Sequence, residues 1–238
     1  MFISLITLLT LLIGTAGVYW VFHAEGGRWI SVIDKSPYGA VGREIALFLF
    51  MVGIPFVALI TGAAGVNLLA LGADLASPDH IAGFTFANWV RGFGIAAVTA
   101  SGVVVLLWVI GKSGPHGLPW SIGIQAVRDA FYSEAHWVFY RAAPALLLND
   151  PYWGVVVGTA AVALEWLAHP QAGAWLQSIE ARQRLVLRLA CLLSSGLLYL
   201  ATRNLWLMIL ANLTIQIVGS RALGSNGAAE SAERLPAP

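Results

Sequence analysis

The sequence predicts an all-α fold, specifically a polytopic transmembrane bundle of about seven helices. Of its 238 residues, 58% are hydrophobic and only 11% are charged, whereas roughly 25% are charged in an average soluble domain. The mean hydropathy is +0.78. The apolar residues also fall into long runs, most of them near the ~20 residues that a helix needs to cross a bilayer.

The charge balance bears on which partners the chain can bind, and the cysteine content bears on disulfide formation. The formal net charge is +1, and no broad basic surface is evident, so nucleic acid is not an expected partner. Membrane lipid is. Cys191 is the one cysteine, which excludes a disulfide within the chain.

Seven apolar runs define the predicted helices in chain order. They lie near residues 3–22, 44–71, 86–111, 131–148, 152–168, 183–201 and 204–219. The first run lacks a basic leader and is longer than the roughly 7–15 apolar residues of a signal peptide, so we expect a retained helix. We expect three helices in residues 1–119, a helical core in 120–222 and a disordered tail in 223–238.

Lysine and arginine are concentrated in alternate loops. The first, third and fifth loops and the tail carry almost all of those that lie between the runs, namely Arg28, Lys35, Arg43, Lys112, Arg128, Arg182, Arg184, Arg221 and Arg234. By the positive-inside rule these segments are cytoplasmic. The N-terminus is then outside and the C-terminus is cytoplasmic.

The fourth run carries charged residues that a membrane helix normally excludes. Glu134 and Arg141 are seven positions apart, which places them on one helix face. A charged side chain at bilayer depth costs about 2.5–3.5 kcal/mol or more, so each is expected to face a cavity or a partner. Arg141 is interpreted as an ion-pairing brace, with Glu165 as one candidate partner. His136 is expected on another face, in a structural or interfacial role.

The fifth run ends in "EWLAHP", where Glu165 and His169 are four positions apart and thus adjacent on one face. An acid and an imidazole that share a wet cavity can activate water, with Glu134 taking the proton as water attacks a carbonyl. His169 is alternatively an interfacial anchor of the helix end. A metal site made of Glu134, Glu165 and His169 is the weaker option, because catalytic zinc usually has more histidine ligands. We expect no metal and no cofactor.

The seventh run carries "NLTIQ", in which Asn212 and Gln216 lie one turn apart. Their amide N–H groups can stabilise a developing oxyanion. The alternative is hydrogen bonding between helices, for which membrane proteins often use such residues.

The C-terminal half, about residues 120–222, resembles the CAAX-protease and bacteriocin-processing (CPBP, or Abi) family of intramembrane proteases. The family's motifs are EExxxR, FxxxH and HxxxN, and here "EAHWVF", "EWLAH" and "NLTIQ" follow in the same order. The resemblance assigns catalytic roles to Glu134, His169, Asn212 and Gln216. It also implies a membrane-anchored peptide or protein substrate and a bacterial inner membrane.

Several motif positions depart from the family pattern. Ala135 replaces the second glutamate, Phe139 stands where the motif has arginine, Glu165 replaces phenylalanine and Asn212 replaces histidine. Arg141 is a candidate substitute for the missing arginine. Two functions therefore stay open: a CPBP-like intramembrane endopeptidase, and an inactive relative that acts as a membrane scaffold or partner-binding subunit. A transporter is disfavoured, because the first three helices carry few polar residues.

Overall fold

The structure, a computed structural model, describes residues 39–60, 69–72, 77–111, 124–167, 173 and 176–224. Of these residues, 87% are helical, in six helices, which confirms the expected predominance of helix. The predicted first helix, the predicted boundary between residues 119 and 120, and tail residues 225–238 lie outside the described residues.

The elements follow one another in simple order. Helix α1 consists of α-helical Gly39–Phe48, a π turn at Leu49–Gly53 and α-helical Ile54–Ile60. A hairpin of β1 (His80–Ile81) and β2 (Phe84–Thr85) precedes the longer helices. These are α2 (Phe86–Gly111), α3 (Ile124–Leu148), α4 (Pro151–Leu167), α5 (Ile179–Thr202) and α6 (Leu205–Gly224).

The structure departs from the predicted runs at several helix ends and in one hairpin. Helix α2 has the predicted bounds, whereas α3 begins at Ile124, seven residues before the apolar run. The second run predicts helix as far as residue 71, but Leu69 and Ala70 lie in a turn and Ala70 has φ 57°. The hairpin was not predicted. Its turn residues Ala82 and Gly83 both have positive φ, and "Ala-Gly" is not among the usual sequence signals for such a turn.

The described residues form two compact units. Unit 1 contains α1, the turn at residues 69–72, the part of α3 from Tyr132 onward, and α4. Unit 2 contains the hairpin, α2, the first turns of α3, α5 and α6.

In unit 1, α3 and α4 form a tight helical hairpin. Asn149 ends α3 in the left-handed conformation with φ 52°, a frequent helix ending. The Asp150 carboxylate accepts the Tyr152 backbone N–H at 2.8 Å, and Pro151 begins α4, where a missing N–H is harmless. Local sequence therefore fixes the reversal of the chain.

Small residues let α3 and α4 approach closely. Gly154, Gly158 and Val162 are the buried residues of α4, and they recur every four positions on one face. A Cβ atom at Gly158 would lie 2.8 Å from Arg141 Cα and 2.9 Å from Arg141 N. Glycine spacing of this kind is typical of close helix packing in membranes.

In unit 2, α2, α5 and α6 pack against one another. A Cβ at Gly92, early in α2, would collide with Leu207, early in α6, and one at Gly219, late in α6, would lie 2.7 Å from Leu107, late in α2. Helices α2 and α6 therefore run parallel. Helix α5 is antiparallel to α6, because the two are joined directly at Arg203 and Asn204.

The described helices have a mostly apolar core, but they also bury several polar residues and expose many large apolar ones. Two of them, over Phe86–Ile110 and Ala181–Thr202, are long and apolar enough to cross a membrane, with mean hydropathies of 2.4 and 1.8. Large apolar side chains of α2 are exposed at Phe86, Val90, Phe93, Val98, Val105, Leu106, Trp108, Val109 and Ile110. Buried polar residues include Glu134, His136, Arg141, Gln183, Ser194, Ser195, Asn204 and Asn212.

Candidate functional site

The centre of α3 is buried on every side. All ten residues from 134 to 143 are buried, and they include Glu134 at 0%, His136 at 3% and Arg141 at 0% exposure. An ordinary surface helix buries one stripe and exposes the opposite face. Helix α3 has no exposed face here, so an acid, an imidazole and a guanidinium all lie within the protein interior.

His136 and Glu165 form a buried pair between α3 and α4. His136 Nε2 lies 3.1 Å from Glu165 Oε2, and the two side chains are 3% and 8% exposed. The contact is a charge-assisted hydrogen bond if the imidazole is neutral and an ion pair if it is protonated. Breaking such a buried pair by removing one partner typically costs about 3–5 kcal/mol.

The helical hairpin brings this pair together. Arg141 packs against Gly158, and from that crossing His136 is five residues back along α3 while Glu165 is seven residues forward along α4. At 1.5 Å per residue these are displacements of about 7.5 and 10.5 Å in the same direction, because the helices are antiparallel. The glycine contact thus sets the register in which His136 meets Glu165.

Aromatic rings enclose the imidazole. The Phe50 ring centroid lies 5.2 Å and the Tyr140 centroid 4.8 Å from that of His136, with interplanar angles of 37° and 69°. Phe50 belongs to the π turn of α1, and π turns within helices occur frequently at functional sites. Among the described residues, His136 Nδ1 is buried and has no hydrogen-bond partner.

The predicted residues of unit 1 are placed as follows. Glu134 and Arg141 are fully buried, and each takes part in an interaction. Arg141 was a candidate partner of Glu165, but the structure pairs Glu165 with His136. His169 lies outside the described residues, so its predicted contacts with Glu134 and Glu165 stay predictions.

The predicted amide residues lie in unit 2. Gln216 Nε2 donates a hydrogen bond to Asn212 Oδ1 at 2.8 Å. Asn212 is buried and Gln216 is half-buried. The contact runs within α6, so one Gln216 N–H group is engaged inside its own helix. The role of these amides as oxyanion donors stays a prediction.

Two motif departures occupy packed positions. Ala135 is buried, and Phe139, which stands at the motif's arginine position, has 0% exposure. Phe139 makes an edge contact with the Tyr140 ring, at 6.3 Å between centroids. This position serves packing, and the role of Arg141 as a substitute for the motif arginine stays a prediction.

Sequence reasoning missed the pairing of His136 with Glu165. The helical angle predicts that His136 and Glu134 face different sides of α3, but it did not identify the partner of His136 on α4. A usable signal existed in the distances from the turn. His136 is 13 residues before Asn149 and Glu165 is 15 residues after Asp150, and residues at similar distances from a tight antiparallel turn lie at similar heights.

Among the described residues, no group of three or more histidine, cysteine, aspartate or glutamate side chains could hold a metal ion. Comparison of the chain with protein-family models, curated proteins and solved structures found no match.

Proposed function

We propose that the chain is an integral membrane protein and a CPBP-like intramembrane endopeptidase that hydrolyses a peptide bond near the cytoplasmic face. The observation that carries the proposal is the complete burial of Glu134, which is 0% exposed. Buried ionisable residues in membrane helices usually mark functional sites. The resemblance to the CPBP motifs assigns this carboxylate the role of the base that activates water.

The distribution of polar and apolar residues supports the membrane assignment. Soluble monomers rarely expose contiguous apolar patches larger than a few hundred Å², whereas α2 exposes large apolar side chains from Phe86 to Ile110. The charged and polar side chains of Glu134, His136 and Arg141 on α3 are buried inside the protein. An apolar protein surface of this kind is compatible with a lipid environment.

Helix directions in unit 2 support the proposed topology. The alternation of basic loops gives α2 and α6 the same direction across the membrane and α5 the opposite one. In unit 2, α2 and α6 are parallel and α5 is antiparallel to α6, which agrees with these directions. Arg221 lies in the last turn of α6, at the end proposed to be cytoplasmic.

The proposed reaction needs no cofactor. Glu134 accepts a proton from water as the water oxygen attacks the peptide carbonyl carbon, and His169 assists this transfer. The motif resemblance, rather than any contact in the structure, gives Asn212 and Gln216 the role of hydrogen-bond donors to the resulting oxyanion. The proton then passes to the leaving amine as the C–N bond breaks. Arg141 balances negative charge in the buried centre.

The proposal is tested with purified protein in lipid nanodiscs and a library of membrane-anchored, prenylated and unmodified peptides. Wild-type protein is expected to cleave some members, and Glu134→Gln and His169→Ala are expected to reduce cleavage by at least about 100-fold, as loss of a general base does. Asp129→Asn is the matched control, because this aspartate lies on the same helix with its side chain 54% exposed. Unchanged cleavage by Glu134→Gln would refute the assigned role.

A second candidate is an inactive relative that binds a membrane partner. The buried apolar Phe139 at the motif's arginine position favours it, because that position lacks the charge that the active family carries. Stoichiometric co-purification of a partner, together with normal cellular function of Glu134→Gln, would support this candidate. Turnover of peptide by the purified chain alone would eliminate it.

A further inference from the structure

The two nitrogen atoms of His136 have different surroundings. Nε2 faces Glu165 Oε2 at 3.1 Å, and an ionised carboxylate can only accept a hydrogen bond. Nε2 therefore carries the hydrogen. In the neutral ring this leaves Nδ1 as a hydrogen-bond acceptor, because the bond made by one ring nitrogen fixes the role of the other.

Nδ1 is a buried acceptor that the described residues leave unsatisfied. It has no partner among them, and the His136 side chain is only 3% exposed. Buried polar atoms nearly always have a partner in the protein or in an ordered bound molecule. In the neutral ring the required partner is a donor, because Nε2 holds the one ring hydrogen and Nδ1 can only accept.

We infer that His136 Nδ1 is a binding site for the O–H group of a small neutral molecule in the interior of unit 1. Phe50 and Tyr140 place aromatic rings beside the imidazole, and burial of a charged ligand in such surroundings would carry a much larger desolvation cost. Water is the smallest molecule of this class, and the hydroxyl of a lipid or substrate has the same chemistry.

This site is distinct from the one assigned to Glu134. Residues two apart on a helix point about 200° away from each other, so His136 and Glu134 leave α3 on different sides. Glu165 acts as a positioning residue, because it orients the ring and selects its tautomer. The inference therefore does not depend on the proposed peptidase activity.

The test is ¹⁵N NMR of the full chain, labelled at histidine, in nanodiscs. His136→Gln identifies the His136 signals by their disappearance. We expect hydrogen on Nε2, and an Nδ1 resonance displaced from that of a free acceptor by a hydrogen bond. A ring with hydrogen on Nδ1, or a free Nδ1, would overturn the inference.

Two further measurements keep the test decisive. Cross-relaxation between the His136 ring proton next to Nδ1 and water would identify water as the occupant, and cross-relaxation with a lipid or ligand hydroxyl would identify that molecule instead. Glu165→Leu removes the acceptor at Nε2 and is expected to produce a mixture of tautomers. If His136→Gln does not fold, the signals that change in Glu165→Leu supply the assignment, and if no histidine signal changes in that variant the role of Glu165 is contradicted.

Discussion

Replacement of Gly158 by alanine tests the contact that sets the register of α3 and α4. The new Cβ would lie 2.8 Å from both Cα and Cγ of Arg141 and 2.9 Å from its backbone nitrogen. Carbon atoms pack at about 3.5–4.0 Å, so the helices would have to separate by about 0.7 Å or more. Two of the three atoms are backbone and cannot rotate away. Overpacking of this kind costs about 1–3 kcal/mol.

Gly102→Ala is the control, because a Cβ at Gly102 meets nothing within 4 Å. Alanine there should stabilise α2 by up to about 1 kcal/mol through helix propensity. The assay is equilibrium unfolding of both variants and the wild type in the same mild detergent. We expect Gly158→Ala to be less stable and Gly102→Ala to be as stable as the wild type or more so. Equal stability of the two variants would refute the close packing of α3 on α4.

Three further predictions concern stability and are read by the same unfolding assay. His136→Leu should lower the free energy of unfolding by about 3–5 kcal/mol, because it leaves the Glu165 carboxylate buried without its partner. The double variant His136→Leu with Glu165→Leu should recover most of that loss. Additive losses would show that the two side chains are not coupled. Asn204 Oδ1 accepts the backbone N–H groups of Trp206 and Leu207, so Asn204→Ala should cost about 0.5–2 kcal/mol and Asn204→Ser much less. Arg203 has φ 46° at the end of α5, a conformation that costs a non-glycine residue about 1–2 kcal/mol. Arg203→Gly should therefore leave the stability unchanged or raise it. A marked loss of stability would mean that the Arg203 side chain stabilises the turn.

The sequence predicts the described helices through their long apolar runs, although several helix ends differ from the predicted ones. Helix α2 has the predicted bounds, and Asn149, Asp150 and Pro151 are the residues expected where one helix ends and the next begins. The early start of α3 was missed because residues 124–130 include polar side chains. A helix can begin well before the apolar part that marks it.

The side-chain pairing in the centre of α3 was beyond the reach of helical periodicity. Periodicity identifies the buried stripe of a helix that has an exposed face, and residues 134–143 have none. Glu165 had two partners within sequence reach, His169 on its own helix and Arg141 by charge. The glycine face of α4 brings His136 to Glu165, a partner on another helix, since Gly154 and Gly158 fix the register of the two helices.

The distance between the Glu134 carboxylate and the His169 ring, in an experimental structure that resolves both side chains, tests the proposed hydrolase most directly. The proposed chemistry predicts a separation of about 3–6 Å, bridged directly or through one water molecule. Side chains that point away from one another, or His169 turned toward lipid, would contradict it.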